Sequence, residues 1–275
     1  MAESKKMFGY LRVPERTSKP RVNGFTMVEG DLHLAVVGMN WLEDFVAWGG
    51  NCVDYFKVGY TLMFQPRELV MEKLSLLKQH RIEPYPQGNC AEGAIRQGCL
   101  DPFLDELQEL GITILEVSST HLAMDIGQKA NVIENAKRRG FTVFAEIGKK
   151  YIGDPDGPKT HMRASQVIRE MKDCLEAGAF KVIYEYTEVV SLLKQDGGLE
   201  GLLETAGAIG ADNIMFELPT SIVGTWKEVA RYAALYIEHF GPNVNLGDLD
   251  PSHLLTIESM RLGLTNRAIG KVPVP

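Results

Sequence analysis

The chain has 275 residues, 45% of them hydrophobic and 24% charged, with a formal net charge of -7 at pH 7. This is the balance of a compact globular protein large enough to bury a substantial core without disulfide or metal staples, and it excludes disordered and fibrous classes. An acidic protein of this kind is a poor match for nucleic acid or an anionic membrane, so no partner of either sort is expected.

The first 24 residues, charged and interrupted by proline, read as an N-terminal arm, and residues 25–275 as one barrel domain. No stretch has the apolar core of a signal peptide or the ~20 uninterrupted apolar residues of a membrane span. Cys52, Cys90, Cys99 and Cys174 form no C-x-x-C pair, which points to a reduced, cytoplasmic protein.

Short apolar or β-branched runs then follow in chain order: FTMVEG from Phe25, VDYFKVG from Val53, EPYPQG from Glu83, ILEVSS from Ile114, TVFAEIG from Thr142, FKVIYEY from Phe180, NIMFELP from Asn213 and NVNLGDL from Asn243. They recur about every 30 residues, the length of a βα unit. Helical periodicity fills the intervals, as in PRELVMEKLSLLKQH from Pro66, where Leu69, Val70, Leu74 and Leu77 share a face. Gly50, Gly111, Gly140, Gly178, Gly210 and Gly241 stand where left-handed residues would close helices. Asp101-Pro102 and Asp250-Pro251 have the form of an N-cap followed by a first-turn proline. The expected fold is α/β, a parallel (β/α)8 TIM barrel, with an open doubly wound sheet as the alternative.

Barrel enzymes carry their chemistry at the carboxyl ends of the strands. Those ends supply Glu29, Asp31, Lys57, Gln87, Asn89, Glu116, Ser118, Ser119, Glu146, Lys149, Lys150, Glu185, Glu188, Glu217, Thr220, Asn243, Asn245 and Asp248. Converging carboxylates need a cation or lysines among them, so this ring fits a divalent cation and a small anionic substrate. Lys57 serves either the site or a structural ion pair, because an unpaired buried ammonium is costly. Of Lys149 and Lys150, adjacent in sequence, at most one faces the site. Asn243 and Asn245 share a strand face, which suits a ligand and an inter-strand hydrogen-bond network equally. His121 follows the fourth strand without a metal-binding spacing. No G-x-S-x-G, Walker or G-x-G-x-x-G motif is present.

Four stretches together carry a family resemblance: the arm LRVPERTSKPRVNGFTMV, the strand DYFKVGY, the end AEIGKK, and FGPNVNLGDL followed by ESMRLGL. They resemble the phosphosulfolactate synthase family, barrel enzymes of coenzyme M biosynthesis related to plant heat-stress-associated proteins. The resemblance implies Mg²⁺-dependent addition of sulfite to phosphoenolpyruvate in a homo-oligomeric enzyme. It further implies a proton donor at Lys149 or Lys150 and Lys57 as an anion holder. Metal ligands would come from Glu116, Glu146, Glu185 and Glu217. Substrate contacts would come from Gln87, Asn89, Ser118, Ser119, Asn243, Asn245 and Gly247, the last two in a phosphate-binding loop.

Departures from the family pattern fall in the loops after strands two, three, four and six. They read Tyr60-Thr61-Leu62-Met63, Gln87-Gly88-Asn89, Ser118-Ser119-Thr120 and Glu185-Tyr186-Thr187-Glu188. An arginine expected after Glu185 is replaced by Tyr186, and Leu62-Met63 near the mouth points to a less anionic or bulkier ligand. The rival readings are a non-catalytic family member acting in stress tolerance or protein interaction, and a barrel aldolase using a Schiff-base lysine at Lys57 or Lys149.

Overall fold

The structure, a computed structural model, describes residues 7–30, 38–148, 162–220, 224–265 and 270–271. Eight parallel strands alternate with helices. The elements run β1 (Thr26–Glu29), α1 (Met39–Gly49), β2 (Tyr55–Val58), α2 (Arg67–Gln79), β3 (Glu83–Pro86), α3 (Gly88–Arg96), α4 (Leu100–Glu109) and β4 (Ile114–Val117). They continue with α5 (Ile126–Arg138), β5 (Thr142–Ile147), α6 (Ala164–Glu176), β6 (Lys181–Tyr184), α7 (Tyr186–Leu193), α8 (Gly198–Ile209), β7 (Ile214–Glu217), α9 (Trp226–Phe240), β8 (Asn245–Leu249) and α10 (Leu254–Arg261).

The hydrogen-bonded order is β3-β2-β1-β8-β7-β6-β5-β4, and β3 meets β4 at the seam of a nearly closed barrel. Every ladder among the described residues is parallel, as expected where each strand is followed by a crossover helix. The eight strands expected from the sequence are therefore all present. No helix among the described residues is long and apolar enough to cross a membrane.

Side-chain alternation sorts the strands into two cores. Phe56, Val58, Leu115, Val117, Val143, Ala145, Val182, Tyr184, Ile214 and Phe216 point outward into the main core with the helices. Phe25, Met27, Tyr55, Tyr85, Ile114, Phe144, Ile183 and Met215 point inward and fill the barrel. The rings of Tyr55, Tyr85 and Phe144 meet edge to face, with centroids 5.0–6.4 Å apart. This layer seals the lower interior, so an open site has room only above it.

Local punctuation follows the sequence with two exceptions. Gly111, Gly140, Gly178, Gly210 and Gly241 have positive φ, but Gly50 is right-handed because the chain continues there into a 3-10 turn. Asp101 lies inside α4, which begins a residue earlier with Cys99 in the capping position, whereas Asp250 caps the turn Pro251–His253 as expected.

The arm is bonded to the amino end of the barrel. Arg16 contacts Glu258 and Asn243, and Arg21 meets Asp54 at 2.8 Å. Arg261, 0% exposed, donates to the carbonyls of Pro242, Val244 and Phe25. Burial pushes its guanidinium down to about 9 against the pull of Glu258. The arm and the ESMRLGL stretch therefore belong to the barrel's stabilising end, opposite the strand ends where chemistry is expected.

Candidate active site

Two residues beyond the last inward apolar position of β1 to β7 lies a polar one on the same strand face. Met27 leads to Glu29, Tyr55 to Lys57, Tyr85 to Gln87, Ile114 to Glu116, Phe144 to Glu146, Ile183 to Glu185 and Met215 to Glu217. The period-2 geometry of the strands thus turns the sealed lower layer into a charged upper layer facing the carboxyl-end mouth.

β8 reaches the same layer by a different route. Thr26 pairs with Leu246 but Val28 pairs with Leu249, so β8 spends one residue more than β1 over this stretch. Asp248 takes up the irregularity with φ +53°. Gly247 stays in the lower layer against Met215 and Met27, and Asp248 enters the upper one.

The centre of this layer is an ion cluster. Lys57, 2% exposed, holds its Nζ 2.5 Å from Asp248 Oδ1, 3.2 Å from Glu116 Oε2 and 3.3 Å from Glu217 Oε1. These partners come from β8, β4 and β7, so they converge only when the sheet curls on itself. Burial alone would neutralise the lysine, but Asp248, Glu116 and Glu217 hold it charged well above the ordinary range. Three carboxylates around the amine disfavour the neutral form that a Schiff-base lysine needs, so this arrangement speaks against that reading for Lys57. Beside the cluster, the Tyr85 hydroxyl is fully buried without a hydrogen-bond partner among the described residues.

Glu116 is fixed from a second side, where the Gly88 amide donates to its Oε1 at 2.9 Å. A side chain at Gly88 would collide with the Ser118 hydroxyl and Glu116, so glycine permits this approach. The neighbouring loop is organised by Glu92 of α3, a residue the sequence reading missed. Its buried carboxylate accepts from Ser118 Oγ, from the amide and hydroxyl of Thr120 at 3.0 Å, and from the amides of His121 and Leu122. Burial pushes the Glu92 carboxyl up, but the donors from Ser118, His121 and Thr120 more than offset this and hold it below its usual value. A single glutamate within a helix gave no sequence signal.

On the opposite side, Glu185 caps α7 by accepting from the Glu188 amide at 3.0 Å and from the Thr187 hydroxyl. Glu188 accepts from the Met162 amide at 2.6 Å. Gly148, with φ +125°, lies against the Cβ atoms of both glutamates, leaving no room for a side chain. Lys129 of α5 donates to the backbone carbonyl of Glu146 and to Glu170, bracing the end of β5 from outside.

Several expected positions move. Asn243 and Asn245 lie at the amino end: Asn243 accepts from Arg16 and from the Thr17 amide, while Asn245 accepts from the Phe25 amide and donates to Asp212 and Ile214. They form the inter-strand network at the amino end, because they open the run that ends at Leu249 and only its last residues reach the mouth. Gly247 is inside that strand and not in a phosphate loop. Ser118 commits its hydroxyl proton to Glu92, leaving Gln87 and Ser119 half-buried and Asn89 exposed near the mouth. Gln87 donates to Glu29 at 3.3 Å.

Lys57, expected as an anion holder, is instead seen among three carboxylates, with a hydrogen bond to Glu217 Oε1 and ion pairs to Glu116 and Asp248. Leu62 and Met63 line a cavity of about 460 Å³ on the helical side of the barrel, away from the interior, and therefore say nothing about the mouth. Lys149, Lys150 and Asp31 lie outside the described residues.

The Mg²⁺ ligands expected from the resemblance are Glu116, Glu146, Glu185 and Glu217. Among the described residues no group of three His, Cys, Asp or Glu side chains could hold a metal ion. Glu116 and Glu217 are turned onto an ammonium and Glu185 onto a helix end. As placed, the set does not form a magnesium cage.

Comparison with known proteins accords with this architecture. The (2R)-phospho-3-sulfolactate synthase (ComA) family description matches residues 14–267. Phosphosulfolactate synthase of Methanothermobacter thermautotrophicus is 30% identical over 272 residues, covering 96% of this chain and 98% of that protein. The enzyme of the same name from Methanocaldococcus jannaschii is 31% identical over 238 residues, covering 84% and 90%. Among solved structures, the carboxyl transferase domain of Rhizobium etli pyruvate carboxylase superimposes with a TM-score of 0.56 at 13% identity, over 84% of this chain and 40% of that one, a likeness of fold alone. With sequence similarity running along nearly its whole length, the chain belongs to the phosphosulfolactate synthase family.

Proposed function

We propose that the protein is a lyase that adds sulfite, or a related nucleophile, to phosphoenolpyruvate or a similar unsaturated acid. The observation that carries this reading is the charged layer at the carboxyl-end mouth, with Lys57 bound to Glu116, Glu217 and Asp248, in a chain of this family.

In the proposed reaction, sulfur attacks C3 of the enol ester and forms the carbon–sulfur bond. The π electrons move toward the carboxylate to give an enediolate, and a proton delivered to C2 completes the addition. Lys149 or Lys150, on the segment that continues β5, supplies that proton. The carboxylates of the layer favour a charged ammonium nearby, which is the state a lysine acid needs. The same acidity means that an anionic substrate depends on cations from the rim, and these two lysines are where the sequence provides them. Gln87, Asn89 and Ser119 are the remaining described polar groups for substrate contact. Family resemblance adds Mg²⁺, but the described carboxylates do not fit it and no step is derived through it.

The test is to incubate the purified protein with phosphoenolpyruvate and sulfite, with and without Mg²⁺, and to follow the phosphorus resonance and mass of the product. A phosphorylated sulfonate supports the reading. A folded protein that leaves both reactants unchanged under all conditions rejects it.

A further inference from the structure

We propose that Glu92 closes the barrel across the seam between β3 and β4, and is thereby the positioning residue that sets the turn of Ser118 to Leu122 at the mouth. The inference deepens the proposed lyase reading and rests on it only for the kinetic arm of its test.

The seam originates in the sequence of β3. The Glu83 amide donates to Asp54 and the Gln87 amide to Val58, so residues 83, 85 and 87 turn their backbone groups toward β2, and those between them turn theirs toward β4. The residues between are Pro84 and Pro86, neither of which carries an N–H. A parallel ladder needs donors from both strands, so β3 cannot complete one with β4, and the hydrogen-bonded order begins at β3 and ends at β4. The other seven junctions between neighbouring strands each carry a ladder.

Two residues of α3, the helix that follows β3, reach across this gap. Gly88 donates its amide to Glu116 Oε1 at 2.9 Å. Glu92 is 3% exposed, and the five groups that donate to its carboxylate among the described residues all lie on the chain leaving β4. Its Oε1 accepts from Ser118 Oγ and from the amide and hydroxyl of Thr120 at 3.0 Å, and its Oε2 accepts from the amides of His121 at 2.8 Å and Leu122. The two bridges touch, since a Cβ at Gly88 would lie 2.4 Å from Ser118 Oγ and 2.8 Å from Glu116 Oε1. A buried carboxylate is tolerated only where donors surround it. Here the folded turn supplies them, so the turn and the closed seam form together, and opening either would strand one charge and five donors. Glu92 thereby sets two things at the mouth. Half-buried Ser119 stands between two residues pinned by one carboxylate, and Glu116 is held by the first residue of the same helix.

The test compares Glu92→Ala and the more conservative Glu92→Gln with the unmodified protein. The readouts are amide hydrogen exchange, and kcat and KM for phosphoenolpyruvate in sulfonate formation. Ile114 and Glu116 are the decisive amides, because Thr142 donates to Thr113 on the far side of β4 and this phase turns residues 114 and 116 toward the seam. In Glu92→Ala their exchange should accelerate by about tenfold more than that of β6, β7 and β8. KM should rise by about fivefold or more while kcat stays within about threefold. Acetate, which reproduces the glutamate side chain beyond Cβ, should restore part of both effects in Glu92→Ala where chloride at equal ionic strength does not. Glu92→Gln keeps one acceptor oxygen and should fall between.

Equal acceleration in every strand would make Glu92 a residue of global stability alone and overturn the proposal. So would exchange at Ile114 and Glu116 that keeps its unmodified rate, or a loosened seam that leaves KM within about twofold. If the unmodified protein forms no sulfonate, the lyase reading falls by itself, and the exchange pattern still decides whether Glu92 closes the seam.

Discussion

Glu258 Oε1 lies 3.1 Å from Arg261 Nε, and Glu258 Oε2 lies 3.1 Å from Arg16 Nε, so one carboxylate on the last helix bridges the N-terminal arm to a fully buried guanidinium beneath the barrel. Arg261 in turn donates to carbonyls that flank the starts of β1 and β8. Removing the carboxylate would strand two cations, one of them with no access to water. Glu258→Ala should therefore lower unfolding free energy by about 3–5 kcal/mol, the range for breaking a buried pair on one side, as read from a urea titration. Because the contact is at the amino end, kcat of whatever fraction remains folded should be unchanged. A loss below 1 kcal/mol would show that the arm does not depend on this bridge.

Acid should act on the same carboxylate and on Glu92. Burial opposes the charged form of Glu258, but Arg261 and Arg16 hold its carboxyl below the usual value, and the loop donors do the same for Glu92. A lowered folded-state value means that stabilisation is complete above the unfolded value, about 4.3 for glutamate, and is lost as pH falls through the folded value. Unfolding free energy should thus be steady from pH 7 down to about 5 and decline steeply below about 4. Glu92→Gln should flatten part of that decline, and an acid limb identical to the unmodified protein's would show that Glu92 does not contribute.

Lys57→Met should give the opposite pH response. Glu116, Glu217 and Asp248 would then be buried together without their cation, which raises their proton affinity. Acids whose folded-state values are raised contribute most below the unfolded value and lose that contribution as pH rises. The variant should therefore be about 3–5 kcal/mol less stable at pH 7 and should recover part of the deficit toward pH 5. A deficit independent of pH would place the loss in packing.

Glu92 also makes a prediction about activity. Its carboxylate gathers Ser118, Thr120, His121 and Leu122 into one turn at the mouth. Glu92→Ala should leave several buried donors unpaired, release that loop, and raise KM more than it lowers kcat if the loop borders the substrate. Proteolysis should confirm the release through new cleavage near His121.

Of Lys149→Ala and Lys150→Ala, one should reduce kcat by about 100-fold or more and the other by little, in line with the expectation from sequence that at most one of the two serves the site. Equal, small effects in steady-state assays would remove both from the role of proton donor.

The sequence by itself determined the barrel, because the signals for it are local. Alternation within each strand, a βα repeat of about 30 residues and glycines after the helices need no knowledge of distant neighbours. It also determined the family, whose recognisable stretches include the arm and ESMRLGL. Tertiary structure decided what those stretches do, placing Arg16, Glu258, Arg261, Asn243 and Asn245 in the stabilising end of the barrel. Asn243 and Asn245 open the run that ends at Leu249, so they belong to the amino end, and Asp248 is the residue of this run that reaches the mouth. Closure of the sheet alone brought Glu116, Glu217 and Asp248 onto Lys57, since their strands lie far apart in sequence. Glu92 escaped detection, and Asp248 was legible only as one polar strand-end residue among many, for the same physical reason. A helix surface glutamate and an aspartate on the outward register of a strand acquire their roles from contacts made across the fold, through a loop that turns back and a bulge that reverses one side chain.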